Sequence, residues 1–372
     1  MKNSLILSAP HETTFANISP VIDLISDSYN LIYLCQCNYY KEKSSICEKI
    51  NDSYEIKSIC LKNPFKFKSF YDPSFLHRLF IKIYVRFILI KVINHAKAYI
   101  FCPGGLLEGT IAKLFYKNKK TTIMIEGGFP LDLLISKKNK SYQNLFFKYF
   151  KNHTLNNPLK YVTWLIVSGE FSKQLRIENG YQEYKILDIG VPRNIKFFHI
   201  NNEKNKLVYD ITFLTGSFGF HKDYKNEFKQ SEYIKKLVDY STMNKKKLLI
   251  KIHPRDNKDY EKFKNEYVSI TYENLIEKIV SSKLCLAFYS TSIYESLILN
   301  TDAYFIGEKL NNKWPERDLI IHEEDFSVLS QLLNEPLESK LGHKKDIAYE
   351  HISKDTIYSA EKIKELILND VH

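Results

Sequence analysis

The residues with the clearest chemistry lie in two short segments of the second half of the chain. His253-Pro254-Arg255 follows the apolar run 248–252, and Ser290-Thr291-Ser292 follows the apolar run 284–289. Each run is typical of a buried strand, and the hydroxyl cluster opens a helix-like segment. Backbone N–H groups at a helix start favour anions, and an imidazole can donate to them. We therefore predict that both segments meet in one phosphate-binding crevice, at the carboxyl ends of neighbouring parallel strands.

A third segment and a helix-start pattern extend this predicted site. Ser292 and Glu295 have the spacing of a capping box, which could serve only to begin a helix, but three consecutive hydroxyls exceed what a cap needs. Thr215-Gly216-Ser217 follows another strand-like run, and its glycine suits close approach of a phosphate or sugar. The predicted nucleotide- or phosphate-binding residues are His253, Pro254, Arg255, Ser290, Thr291, Ser292, Glu295, Thr215, Gly216 and Ser217.

Two segments of the first half could act on the hydroxyl group of an acceptor substrate. Glu126 follows the strand-like run 121–125 and precedes Gly127 and Gly128, which let the backbone turn sharply beside a substrate. A carboxylate there could deprotonate an acceptor hydroxyl, although an exposed acid in a glycine turn is the alternative. His11, after the first apolar run, is a second acceptor-side candidate. We predict Glu126 and His253 as catalytic residues, with His11, Gly127 and Gly128 on the acceptor side.

Short apolar runs alternate with amphipathic segments along the whole chain. This alternation predicts an α/β fold with parallel sheets and crossover helices, and the length of 372 residues predicts two domains. A polar stretch at 201–206 marks the boundary. We expect two Rossmann-like, doubly wound domains that face each other across a cleft. The two domains would be residues 1–200 and residues 207–350, followed by a C-terminal helix within 351–372.

The net charge of +11 and the pI near 9.0 favour an anionic partner. The basic residues lie in short scattered runs that form no nucleic-acid-binding module, so we expect no nucleic-acid partner. The six cysteines lack the paired spacing of a zinc site, and no Asp-x-Asp pair lies in a suitable loop. We therefore predict no metal and no cofactor.

The segment 79–93 is strongly apolar but is interrupted by Lys82, Arg86 and Lys91, so it is not a transmembrane helix. A helix here would pack on the sheet or lie on a membrane surface. The N-terminal apolar stretch is too short for a signal peptide. We expect a cytoplasmic protein with loose peripheral attachment to an anionic membrane, on the inner face of the cell membrane.

The motifs in this order resemble those of bacterial GT-B glycosyltransferases that use CMP-activated sugars, namely sialyltransferases, polysialyltransferases and Kdo transferases. Glu126-Gly127 resembles the end of their acidic-acidic-Gly motif, although Ile125 stands at the position of the first acid. His253-Pro254 resembles their HP motif and Ser290-Thr291 their paired hydroxyl motif. The resemblance implies an inverting enzyme that transfers a sugar, such as sialic acid or a related nonulosonic acid, to a glycan or lipid-linked glycan acceptor during capsule or lipooligosaccharide synthesis. It also implies that residues 1–200 bind the acceptor and residues 207–350 bind the CMP-activated sugar donor.

Alternative functions remain open. The segment 190–194 (Gly-Val-Pro-Arg-Asn), together with 250–255, also resembles the CDP-glycerol glycerophosphotransferases of teichoic acid and capsule synthesis. A nucleotide-sugar epimerase shares the two-domain layout and needs no acceptor. A non-catalytic nucleotide-binding protein would suit the basic charge.

Overall fold

The structure, a computed structural model, divides into two compact units. The first comprises Met1–Ile195 with Ile352–His372, and the second comprises Lys196–His351. The domains expected from the sequence were 1–200 and 207–350, with 351–372 as a terminal helix. The residues that the structure describes are 3–9, 12–35, 50, 54, 56–60, 75–87, 89–102, 106–127, 158–200, 207–219, 223–309, 314–323, 325–335 and 338–371.

A parallel seven-stranded sheet forms the centre of the first unit, in the order β3-β2-β1-β4-β5-β6-β7. Residues alternate between its faces: Leu5 and Leu7 join one buried cluster and Ile6 the other. Helices therefore cover an apolar surface on both sides. The strands are β1 (Ser4–Ser8), β2 (Asn30–Cys35), β3 (Lys57–Cys60), β4 (Ala96–Phe101), β5 (Thr121–Ile125), β6 (Trp164–Ile166) and β7 (Ile186–Leu187).

The C-terminal segment returns to the first unit, where Gly190 lies directly against it. Gly190 has φ +82°, and a Cβ atom there would lie 1.9 Å from Thr356 Oγ1, so only glycine permits this approach. The helices of this unit are α1 (Glu12–Phe15), α2 (Ser19–Ile25), α3 (Phe75–Phe87), α4 (Ile90–His95), α5 (Leu106–Lys117), α6 (Glu170–Glu178) and the terminal helix α13 (Ser359–Val371).

The second unit repeats this design with a parallel six-stranded sheet, in the order β10-β9-β8-β11-β12-β13. Its strands are β8 (Tyr209–Leu214), β9 (Leu248–Lys251), β10 (Val268–Thr271), β11 (Ser282–Ala287), β12 (Asp302–Ile306) and β13 (Ile320–Ile321). Its helices are α8 (Tyr224–Met243), α9 (Leu275–Val280), α10 (Ser292–Ile298), α11 (Phe326–Asn334) and α12 (Glu338–His351), and the short α7 (Ile195–Phe198) begins at the boundary.

The predicted class of two doubly wound α/β domains is confirmed. The sequence analysis was wrong about the segment 79–93, which is not one helix: α3 ends at Phe87 and α4 begins at Ile90. None of the described helices is long and apolar enough to cross a bilayer. In each sheet the strand order reverses between two neighbours, β1 and β4 in the first unit and β8 and β11 in the second. Ligands of such sheets bind beyond the carboxyl ends of the strands at this point of reversal.

Candidate functional site

In the second unit, three neighbouring strands deliver polar residues to one edge. Strand β8 lies between β9 and β11, and the register pairs Leu214 with Lys251 on one side and with Ala287 on the other. All three strands are parallel, so the chain leaves each of them at the same edge of the sheet. The segments that follow are 215–217, 253–255 and 290–292, which are the three segments predicted from the sequence.

His253 is held through its backbone and through its ring. Its backbone N–H donates to the Oγ1 of Thr215 at 2.9 Å, and its ring Nδ1 accepts the backbone N–H of Arg255 at 3.0 Å. An accepting Nδ1 places the proton of the neutral ring on Nε2. The residue is half-buried. His253 is therefore oriented as an N–H donor for an anion.

The loop after β8 is anchored by a buried glutamine on α8. Gly216 N–H donates to the Oε1 of Gln230 at 2.6 Å, and Gln230 in turn donates to the hydroxyl of Tyr260. The Tyr260 hydroxyl donates to Asp256 at 2.9 Å. Burial and the Asp256 carboxylate raise the pKa of Tyr260, so it stays a neutral donor. This chain of contacts joins the Thr215 loop to the His253 loop.

The turn after β11 contains a strained residue immediately before the hydroxyl cluster. Tyr289 has φ +44°, which is rare for an aromatic residue, and its hydroxyl donates to the carbonyl of Glu308 at 3.0 Å. The Oγ of Ser290 accepts the N–H of Ser292 at 3.3 Å. The predicted capping box is wrong in register, because Thr291 is the N-cap residue, without a side-chain cap bond, and Ser292 already belongs to α10.

The predicted nucleotide- or phosphate-binding residues differ in exposure. Ser290, Thr291 and Ser292 are half-buried, as are Gly216 and Ser217, whereas Glu295 is buried within α10. Pro254 is exposed and Arg255 is half-buried. The structure therefore brings the predicted residues to one edge, with Glu295 and Thr215 below the surface.

In the first unit, Glu126 lies at the carboxyl edge but is only 1% exposed. Arg176 donates to its Oε1 at 2.9 Å, and the Ser172 hydroxyl lies 2.8 Å from both of its oxygens. The N–H and the hydroxyl of Ser168 donate to its Oε2 at 3.2 Å and 3.3 Å. A general base needs a lone pair that can reach the substrate, and here four donors hold the carboxylate. The role of Glu126 as base stays a prediction, and this geometry weighs against it.

Further buried contacts tie the loops of this edge together. Asn17, which is fully buried, donates its Nδ2 to the carbonyl of Glu126 at 3.0 Å, and Arg193 donates to the carbonyl of Gly127 at 3.1 Å. Glu126 thus belongs to a compact polar cluster. His11 and Gly128, predicted on the acceptor side, lie outside the described residues.

The sequence patterns did not predict the side chains that contact Glu126 in the first unit and Gly216 in the second. Arg176 and Ser172 lie on α6, an ordinary amphipathic helix, and Gln230 lies on α8 among other polar residues. Each was identified only by a contact distant in sequence. Among the residues that the structure describes, no group of three or more His, Cys, Asp or Glu could hold a metal ion.

Comparisons of the sequence found no matching family model and no matching curated protein. Comparison of the structure found fold relatives. UDP-GlcNAc 2-epimerase from Neisseria meningitidis, bound to UDP-GlcNAc, has a TM-score of 0.62 at 13% identity, covering 98% of this chain and 99% of that one. The enzyme of the same name from Methanocaldococcus jannaschii has a TM-score of 0.59 at 13% identity, with the same coverage.

A second kind of enzyme has a similar fold. The wall teichoic acid polymerase TagF, in a structure soaked with CDPG, has a TM-score of 0.58 at 16% identity, covering 99% of this chain and 88% of that one. At these identities the likeness concerns the fold. The chain therefore has the GT-B-like fold of these structures, with two parallel-sheet α/β units.

Proposed function

We propose that this protein is an inverting glycosyltransferase of bacterial surface-polysaccharide assembly that uses a CMP-activated sugar. The observation that carries the proposal is the grouping of Thr215, His253 and Ser290 after three adjacent strands of the second sheet. These groups lie beside the point of strand reversal between β8 and β11, where sheets of this kind bind nucleotides.

The chemistry of this edge suits a leaving phosphate. When the glycosidic bond to CMP breaks, negative charge grows on the phosphate oxygens. The Nε2–H of His253 and the hydroxyls of Ser290 and Thr291 are donors suited to that charge, and oriented donors of this kind lower the barrier. Thr215 already holds the backbone of His253 and the N–H of Arg255 holds its ring, so little reorientation is needed.

The preference for cytidine rests on two supports. The motifs at 253–254 and 290–291 resemble those of CMP-sugar transferases, and the fold is similar to that of TagF, whose structure was soaked with CDPG. A CDP-glycerol-dependent glycerophosphotransferase is the second candidate, because the segment 190–194 resembles that family as well. In that segment Arg193 contacts the carbonyl of Gly127.

A third candidate, a UDP-sugar epimerase, is favoured by the fold likeness to the UDP-GlcNAc 2-epimerases. It differs from a transferase in two measurable ways, since it recognises uracil and converts its substrate without an acceptor. The proposed acceptor is a glycan or lipid-linked glycan, and its proton would be removed at the first unit, where Glu126 and His11 are the two candidates from the sequence.

A thermal-shift screen with CMP, CDP, UDP and GDP tests the nucleotide. A ligand that binds only the folded state at about 100 times its Kd adds about 2.7 kcal/mol of stability. We expect CMP and CDP to raise the Tm, and UDP and GDP to leave it nearly unchanged. Stabilisation by UDP alone would support the epimerase and reject the cytidine assignment.

A second assay separates the transferases. CMP released from a CMP-sugar only when a glycan acceptor is present supports the sugar transferase. Release of CMP from CDP-glycerol under the same conditions identifies the glycerophosphotransferase instead.

A further inference from the structure

Helix α3 carries an exposed apolar stripe on the surface of the first unit. Leu79, Ile83 and Phe87 are spaced four residues apart, so they lie along one side of the helix. They are 44%, 48% and 72% exposed. The opposite side packs into the core through Val85, which is 1% exposed. Packing among the residues of this unit that the structure describes therefore leaves the three side chains of the stripe largely exposed.

Exposed basic residues accompany this stripe on α3 and on the next helix. Lys82 and Arg86 each precede a stripe residue by one position, and both are exposed, as is Lys91 on α4. The sequence contains no acidic residue between Asp72 and Glu108. Helices α3 and α4 therefore combine exposed apolar side chains with basic residues and contribute no acidic residue to this surface.

Helix α8 of the second unit has a similar apolar pair but a different charge pattern. Tyr224 and Phe228 of α8 are also exposed and four residues apart. However, α8 contains Glu227, Glu232 and Asp239 among its lysines, so its charges are mixed.

We propose that the α3 stripe, with Lys82, Arg86 and Lys91, docks the protein on an anionic phospholipid bilayer. Apolar side chains enter the interface while the basic residues pair with lipid phosphates. Charge complementarity selects this occupant over a second copy of the chain, because two such surfaces would bring like charges together. A nucleic acid would use the basic residues but not the apolar stripe. The proposal does not depend on the identity of the sugar donor.

Co-sedimentation with vesicles tests it, using pure phosphatidylcholine and an equal mixture of phosphatidylcholine and phosphatidylglycerol at low salt. We expect the full chain to sediment with the mixed vesicles alone. The pair Lys82→Glu and Arg86→Glu should weaken the partition by roughly thirtyfold or more, as expected for about 1 kcal/mol per basic residue. The pair Ile83→Ser and Phe87→Ser should weaken it at least tenfold through lost apolar burial.

Matched controls lie on α8. Tyr224→Ser with Phe228→Ser repeats the apolar change at the same spacing, and Lys225→Glu with Lys236→Glu repeats the charge change. The apolar control pair should bind mixed vesicles within about twofold of the wild type. The charge control pair should lose only the part of the binding that depends on net charge. Equal losses in control and test pairs would reduce the effect to net charge and overturn the proposal.

Three other results would also overturn it. One is no sedimentation with mixed vesicles at low salt. Another is unchanged binding after the Ile83 and Phe87 substitutions, which would indicate a general polyanion surface such as one for nucleic acid. The third is a dimer in solution that Phe87→Ser dissociates, which would identify a second copy as the occupant.

Discussion

In the first unit, Glu126, Ser172 and Arg176 at the carboxyl edge of the sheet are buried and bind one another, whereas His253, Ser290 and Thr291 at the corresponding edge of the second unit are half-buried. Both sheets reverse their strand order in the same way. Glu126 is surrounded by Ser168, Ser172 and Arg176. The ring of His253 instead accepts the N–H of Arg255, and its backbone N–H donates to Thr215. The same topology thus supports two edges, one closed by its own contacts and one suited to an external anion.

The largest expected effect concerns the buried pair of the first unit. Glu126→Leu and Arg176→Met should each lower the free energy of unfolding by about 3–5 kcal/mol, because each leaves a buried charge without its partner. The double variant should recover most of this loss, since apolar residues of similar volume can replace a buried pair. Alkylation of the fully buried Cys102 in increasing urea reports unfolding of this unit.

Turnover in the double variant distinguishes a structural Glu126 from a catalytic one. If Glu126 acts by holding the loops together, turnover should return with stability. A stable double variant whose turnover stays two or more orders of magnitude low would instead identify Glu126 as the base.

The second effect concerns nucleotide affinity in the second unit. His253→Ala should weaken binding of CMP or CDP by roughly tenfold to a hundredfold, as expected for loss of a hydrogen bond to a charged group. Calorimetric titration measures it. His343→Ala, an exposed histidine of α12 in the same unit, is the control and should bind as the wild type does. Equal affinities for both variants would remove His253 from the site.

A smaller effect is expected at Thr215, which orients His253. Thr215→Val removes the acceptor of the His253 N–H at a cost of about 1 kcal/mol, so affinity should fall several-fold. Thr271→Val is matched to it, because Thr271 Oγ1 also accepts a backbone N–H, that of Glu273, at the end of the outer strand β10. Loss of affinity in the Thr271 variant as large as that in the Thr215 variant would contradict a local role.

The smallest effect is a pH dependence in the second unit. Burial raises the pKa of Glu316, but its hydrogen bond to His351 and the charge of that ring outweigh burial and lower it. The folded unit therefore binds fewer protons than the unfolded chain near the ordinary pKa of a Glu. The stability from Glu316 is present above that value and lost as pH falls through the lowered folded pKa. Glu316→Gln should flatten this acid-side loss of Tm; an unchanged acid slope would argue against the coupling.

Local patterns predicted the strands and the edge residues because both depend on short sequence spacing. His253 and Ser290 each lie within three residues of the end of a buried strand, so their position at an edge could be predicted.

The partners of the site residues could not be predicted in this way. Arg176 lies 50 residues from Glu126, and Gln230 lies 14 residues from Gly216, so each contact arises from packing of a helix on the sheet. The exposure of Glu126 also depends on these contacts. An acid in a glycine turn was expected to reach a substrate, and the tertiary structure buries it instead.

The most direct test of the comparison is calorimetric titration of CMP, CDP and UDP into three proteins: the wild type, His253→Ala, and the double variant Glu126→Leu with Arg176→Met. The account predicts that cytidine nucleotides bind the wild type and the double variant with similar affinity, that UDP binds neither well, and that His253→Ala loses roughly tenfold or more. Preference for UDP, or equal binding of cytidine nucleotides by His253→Ala, would contradict it.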